Sequence, residues 1–211
     1  MNNSLVNTGR LFGAGLRALL VLTVLTGILY PLAVTGVGQA LFNDKANGSE
    51  ITSAGKVVGS SLIGQQNYGL DYFQPRPAGG LGENSVNTQY ELLLSGATNR
   101  SGDNAELIQM VKEAKAKVVK DNSTADYKVT PSQVPADAVL SSGSGLDPDI
   151  SPQYAELQVH RVAERNDLSV ADVQKLVDRH VQGRTLGFIG EPRVNVLELN
   201  IALKGLVANS G

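Results

Sequence analysis

The stretch ALLVLTVLTGILYPLAVTGVGQALF, Ala18 to Phe42, runs for 25 residues without a charge. Coiled as an α-helix it would reach roughly 38 Å, more than the about 30 Å of a bilayer's hydrocarbon core. A lone segment in lipid can satisfy its own backbone hydrogen bonds only as a helix, so the stretch reads as a transmembrane span. Pro31, near its middle, removes one rung of the helical ladder and predicts a kink. Gly27, Gly36 and Gly38 suit a bent helix that packs on protein.

Charge sets the direction of the span. Arg10 and Arg17 precede it with no acidic residue, whereas Asp44, Lys45 and Glu50 follow it. The positive-inside rule then predicts residues 1–17 in the cytoplasm, 18–42 across the membrane and 43–211 outside. A cleaved signal peptide ending at Gly38-Gln39-Ala40 is the rival reading. A retained anchor is preferred, because the apolar run exceeds the usual signal core and continues through Leu41 and Phe42.

Composition narrows the function classes. With 42% hydrophobic and 18% charged residues the 211-residue chain is not a disordered polyion. Its net charge of −2 argues against a nucleic-acid binder, which needs a basic face. Setting Arg10 and Arg17 aside leaves 16 basic and 20 acidic residues after the span, a net of −4. The absence of cysteine excludes disulfides and thiolate metal sites. The two histidines, His160 and His180, lie on separate expected helices with no spacing that makes them co-ligands.

The rest reads as one mixed domain, α+β or α/β. Lys56-Val57-Val58 and Ser61-Leu62-Ile63 suggest strands, and Pro75 and Pro77 hold Arg76 in an extended stretch. Asn104 to Val119 is expected as a helix, capped by Asp103 with Glu106, and Leu107, Met110, Val111, Ala114 and Val118 form its apolar side. Lys112, Lys115, Lys117 and Lys120 make a solvated face. Ala138-Val139-Leu140 allows a short strand. Ser151-Pro152 opens a second helix to about Glu164, with Ala155, Val159, Val162 and Ala163 inward. Ser169 with Asp172 opens a third, ended by Gly183, whose Val173, Leu176, Val177 and His180 face inward. Glu191 to Asn200 alternates like a strand, but Asn195 as cap and Val194 stapled to Leu199 favour a helix.

Few residues suggest chemistry. No phosphate-binding P-loop or nucleophile elbow occurs. Asp147-Pro148-Asp149 falls short of a calcium loop and reads as a turn before the Ser151 cap. Leu94-Ser95-Gly96-Ala97-Thr98-Asn99 and Gly143-Ser144-Gly145 are the loops whose backbone N–H groups could approach an anion. No catalytic or metal-binding residue is expected.

Five blocks carry a resemblance: Gly59 to Gln65, Tyr72 to Ala78, Ser142 to Pro152, Gln158 to Ala163 and Gly190 to Asn200. In this order, behind one N-terminal span, they resemble the KdpC family, the C subunit of the bacterial potassium-transporting P-type ATPase. The resemblance implies a complex with the channel-like KdpA, the ATP-hydrolysing KdpB and the small KdpF peptide, in the cell membrane. It implies an accessory subunit, not an enzyme, described as a catalytic chaperone that raises the ATP affinity of KdpB. A rival family view has the outer domain guard or focus potassium at the entrance of KdpA. An independent membrane-tethered binding protein is the alternative from another class. The family's nucleotide loop, likened to Leu-Ser-Gly-Gly-Gln, reads here Leu94-Ser95-Gly96-Ala97-Thr98. Ser95, Gly96 and Thr98 are thus the nucleotide-contact candidates, with ATP the implied ligand, although the second glycine and the glutamine are missing. The aspartyl-phosphate motif Asp-Lys-Thr-Gly-Thr is also absent. Because ATP is cytoplasmic and residues 43–211 are expected outside, an effect on ATP affinity would be allosteric.

Overall fold

The N-terminal apolar pattern becomes a rod of helix: α1 (Asn3–Val24), one π-helical turn (Leu25–Leu29) and α2 (Tyr30–Leu41). The computed structural model describes residues 3–66, 68–77, 95–96 and 100–210. Residues 1–50 and 51–211 form two separate compact units. Within the first, the stretch from Val6 to Leu41, 36 residues with mean hydropathy 2.1, is long and apolar enough to cross a membrane. Helix thus begins well before Ala18 and carries Arg10 and Arg17 along the same rod. The expected disturbance at Pro31 takes the form of the π turn just before it, where the Tyr30 N–H donates to the Leu25 carbonyl. One widened turn answers the missing proline N–H and the bulk of its ring.

The rod stops at Phe42, and one further turn, α3 (Asn43–Ala46), follows. Three amides lock this end: Asn43 and Asn47 each donate to Gln39 Oε1 at 3.1 Å, and Gln39 donates back to Asn47 Oδ1 at 3.1 Å.

The second unit opens on β1 (Glu50–Ser53) and β2 (Lys56–Ser60), joined through Ala54 and Gly55. Both turn residues have positive φ, 50° and 75°, the backbone of a tight hairpin turn. Ser61-Leu62-Ile63 does not continue as a strand. It turns, because the Ser60 hydroxyl accepts the Leu62 N–H at 3.1 Å. Helix α4 (Ala105–Asn122) is capped by Asn104, not Asp103, and runs three residues past Val119. The Asp103 carboxylate is engaged by the Ser101 hydroxyl, leaving Asn104 Oδ1 to accept the Leu107 N–H. Met110, expected inside, is exposed, while Val118 is buried. Ala138-Val139-Leu140 is no strand: a 3₁₀ turn, Ala136–Ala138, is followed by a Leu140 N–H bonded to the Ala136 carbonyl.

Helices α5 (Pro152–Arg165) and α6 (Val170–His180) start as their caps predict, with the Ser151 and Ser169 hydroxyls accepting the Tyr154 and Asp172 N–H groups. Between them Asp167 takes the left-handed conformation, φ 54°, and the Leu168 N–H reaches back to the Ala163 carbonyl. α6 does not run on to Gly183. Its next two residues leave the helix as β4 (Val181–Gln182) and pair with β5 (Arg193–Asn195). β5 also pairs antiparallel with β3 (Asp149–Ile150), placing Val194 beside both Ile150 and Val181. The ambiguous stretch from Glu191 is therefore both things in turn, a three-residue strand and then α7 (Val196–Ser210). The Asn195 side chain caps that helix by accepting the Glu198 N–H.

The unit is α+β. Its core lies among α5, α6 and α7, with Val159, Val162, Val173, Val177, Val194, Leu199 and Leu203 essentially without solvent contact. Phe73 joins them from a strap, Tyr68–Pro77, that turns at Gly69–Tyr72 and forms no helix or strand.

Extended backbone inside a core needs partners. Asn200 on α7 supplies both for Phe73, accepting its N–H at 2.9 Å and donating to its carbonyl at 3.0 Å. Asn200→Ala orphans both groups and should cost about 2–4 kcal/mol. Asn200→Asp, which keeps the acceptor, should cost less. Urea unfolding of the full chain in detergent measures both, and an unchanged midpoint for Asn200→Ala would refute the clamp's importance.

Candidate functional site

Around the strap, polar side chains of α4, α5 and α7 turn inward. Gln158 repeats the Asn200 pattern one residue along, accepting the Gln74 N–H at 2.7 Å and donating to the Gln74 carbonyl at 3.1 Å. Asn166 donates to the Asp71 carbonyl at 2.7 Å. Arg161 is the hub. Its guanidinium donates to Asn122 Oδ1 at 2.8 Å, Gln158 Oε1 at 2.7 Å, the Tyr72 carbonyl at 2.9 Å and the Leu70 carbonyl. All four acceptors are neutral, and the nearest help from opposite charge comes at longer range, from Asp121 and Asp71. Burial pulls the Arg161 guanidinium down to about 10. Burial also pushes the nearby Tyr154 phenol up to about 12, against the attraction of Arg161.

The strap leaves the core through Pro75-Arg76-Pro77. Arg76 crosses to Asp147 at 2.9 Å and reaches the Leu140 carbonyl. Asp147 in turn accepts the Asp149 N–H, forming the expected turn ahead of the α5 cap. Asp137 fixes that cap from outside, accepting the Ser151 N–H at 2.7 Å and the Ser151 hydroxyl at 2.9 Å. A cavity of about 560 Å³ lies here, walled by Arg76, Asp137, Asp147, Asp149 and Arg193. Each of its three aspartates is already engaged, Asp149 with Arg193 at 2.9 Å. Burial nevertheless raises Asp149 above the usual carboxylate range. Among the described residues, no group of three or more His, Asp or Glu side chains is arranged to hold a metal ion.

The two glycine loops meet. The Gly96 N–H donates to the Ser144 carbonyl at 2.7 Å. The Gly145 and Leu146 N–H groups are taken by the Ser142 and Ser144 hydroxyls of their own loop. These three N–H groups are therefore engaged within the fold. Ser95 and Gly96 are exposed; Thr98, with Leu94, Ala97 and Asn99, lies outside the described residues. His160 stacks on Tyr127 with ring centroids 3.9 Å apart, and His180 bonds the Leu176 carbonyl on its own helix. Lys112, Lys117 and Lys120 are exposed and Lys115 is half-buried.

The five sequence blocks prove to be one structure. Gly64 donates to the Leu146 carbonyl at 2.7 Å, and a Cβ at Gly64 would stand 2.6 Å from the Asp147 carbonyl oxygen. Asn195 donates to the Ser61 carbonyl at 3.0 Å. Arg76 joins the strap to Asp147, while Gln158, Arg161 and Asn200 grip it from behind. Sequence reading assigned these clamp residues no role. Their signal was there: Gln158 and Arg161 fall on the same helical face as Ala155, Val159 and Val162, where polar residues are out of place.

A family model described as "KdpC: K+-transporting ATPase, c chain" matches residues 12–205. The chain belongs to the KdpC family. It is 73% identical to a "Potassium-transporting ATPase KdpC subunit" of Streptomyces avermitilis, covering all of both chains. The same name is carried by a Streptomyces coelicolor relative, 67% identical over 99% of this chain and 98% of its own. A Mycobacterium tuberculosis relative so named is 45% identical over 90% of this chain and 96% of its own. The family match includes both most of the apolar rod and the whole clamp.

Tyr154 offers a pH test of the interior. Its phenol ionises near 10.0 when unfolded and near about 12 in the fold. The neutral hydroxyl therefore supports the fold fully below pH 10, and that support drains away as pH rises from 10 to 12. Arg161, with its folded value lowered, acts with the opposite sign over the same range. Tyr154→Phe should leave stability at pH 7 little changed and remove of order 2 kcal/mol from the alkaline decline. Denaturant unfolding at pH 7, 10 and 11.5 checks this, and parallel curves for both chains would contradict it.

Proposed function

We propose that the chain is a non-catalytic accessory subunit of an ATP-driven potassium-uptake complex, held in the membrane by its N-terminal helix with residues 43–211 outside. The observation that carries this reading is the family match over residues 12–205, which takes in rod and second unit together. The interior chemistry supports it. The polar side chains that cluster in the second unit grip backbone and one another, which suits a rigid docking body. From the resemblance, its companions would be the channel-like KdpA, the ATP-hydrolysing KdpB and the small KdpF.

Its effect on ATP is then indirect. The Gly96 N–H is engaged by Ser144, so the glycine loop has one fewer donor for a phosphate. A subunit that binds one conformational state of the pump better than another changes ATP affinity through that preference. A coupling of about 1–3 kcal/mol corresponds to a shift of about 5- to 150-fold. ATP titration of ATPase activity, with the chain present and absent, should give a KM change in this range. Ser95→Ala should change KM by less than about twofold, since a coupling spread over an interface does not rest on one exposed hydroxyl. If Ser95→Ala reproduces loss of the whole chain, nucleotide contact is direct and the allosteric reading is wrong.

Topology has its own test. Trypsin added to intact spheroplasts should digest residues 43–211 and leave the N-terminal rod in the membrane. Full protection until the cells are lysed would put the second unit in the cytoplasm.

A further inference from the structure

Between β4 and β5 every residue from Val181 to Arg193 is exposed. Leu186, Phe188 and Ile189, 80%, 71% and 52% exposed, crown this segment. The crown is built, not frayed. Thr185 and Ile189 exchange both backbone hydrogen bonds, at 2.9 and 3.0 Å. Arg184 pairs with Glu191 at 2.7 Å across the base, and the chain reverses at Leu186 and Gly187 with φ of 55° and 83°. Leucine rarely adopts that conformation. Single exposed hydrophobes are ordinary, but three on one closed turn form a patch that marks an interaction site.

Size narrows the occupant. Arg184 and Arg193 flank the turn, but each is already paired, with Glu191 and with Asp149, so the rim carries little net charge. The turn therefore selects its occupant by apolar surface and size, not by charge. Three side chains present roughly 400 Å² at most, about half of what each partner contributes to a free-standing interface. A second copy of the chain would not be held by this contact. A protein already confined beside it in the same assembly would, because a shared anchorage raises the effective concentration. The turn also has no Trp or Tyr, the residues that favour a bilayer interface.

We propose that the Leu186–Ile189 turn docks in a companion subunit of the ATPase, in an apolar pocket sized for these three side chains. This rests on the accessory-subunit reading above. The test uses the full chain co-expressed with the other subunits and purified through a tag on one of them. A benzophenone amino acid at position 188 should cross-link to a companion subunit on illumination. The double variant Leu186→Ser, Phe188→Ser should lower the amount of chain retained at least tenfold after a stringent detergent wash. Val57→Ser, at an exposed apolar site elsewhere, should leave retention unchanged. Adducts only to lipid, only to a second copy or to nothing overturn this docking assignment while leaving complex membership intact, as does wild-type retention of the double variant. A wild-type chain that purifies without companions overturns both.

Discussion

The second unit depends on one constraint: a strap of chain, Tyr68 to Pro77, carries Phe73 into a helical core, and the peptide groups that go with it must be satisfied there. Neighbouring strands would normally do this. Here side chains do, Asn200 for Phe73 and Gln158 for Gln74, each amide offering one donor and one acceptor to the two groups of a single residue. Arg161 then bonds the Tyr72 carbonyl and steadies Gln158. A guanidinium that hydrogen-bonds only neutral acceptors is costly to bury.

This constraint also accounts for what could and could not be read from sequence. The starts of α5 and α6 were legible because Ser151-Pro152 and Ser169–Asp172 are local devices, complete within four residues. The cap of α4 was misplaced by one residue because two good cap formers, Asp103 and Asn104, stand side by side, and only the Ser101 hydroxyl distinguishes them. The three-stranded sheet was not legible. Its strands are two or three residues long, and Val181 leaves the α6 helix only because Val194 lies within reach. The clamp was hidden for a related reason: Asn200 and Phe73 are 127 residues apart. Family resemblance marked the right blocks without giving the contacts that unite them.

The nucleotide-loop candidates illustrate the difference between composition and geometry. Ser95-Gly96 and Gly143-Ser144-Gly145 look alike as flexible, donor-rich segments. In the fold they face each other, and much of what they could offer an anion they give to one another or to their own hydroxyls. Glycine here permits two backbones to approach closely, which is a structural use of the same freedom.

The amide knot of Gln39, Asn43 and Asn47 has a consequence for how the rod rides in a bilayer. Three amides cannot enter acyl chains cheaply, so in a bilayer that end would sit at the headgroup level. The 36-residue apolar stretch is about 54 Å long, some 24 Å more than the hydrocarbon needs. The surplus must emerge at the other end, where Arg10 and Arg17 can snorkel to the headgroups. In a bilayer, differences in thickness would then be taken up by the N-terminal turns.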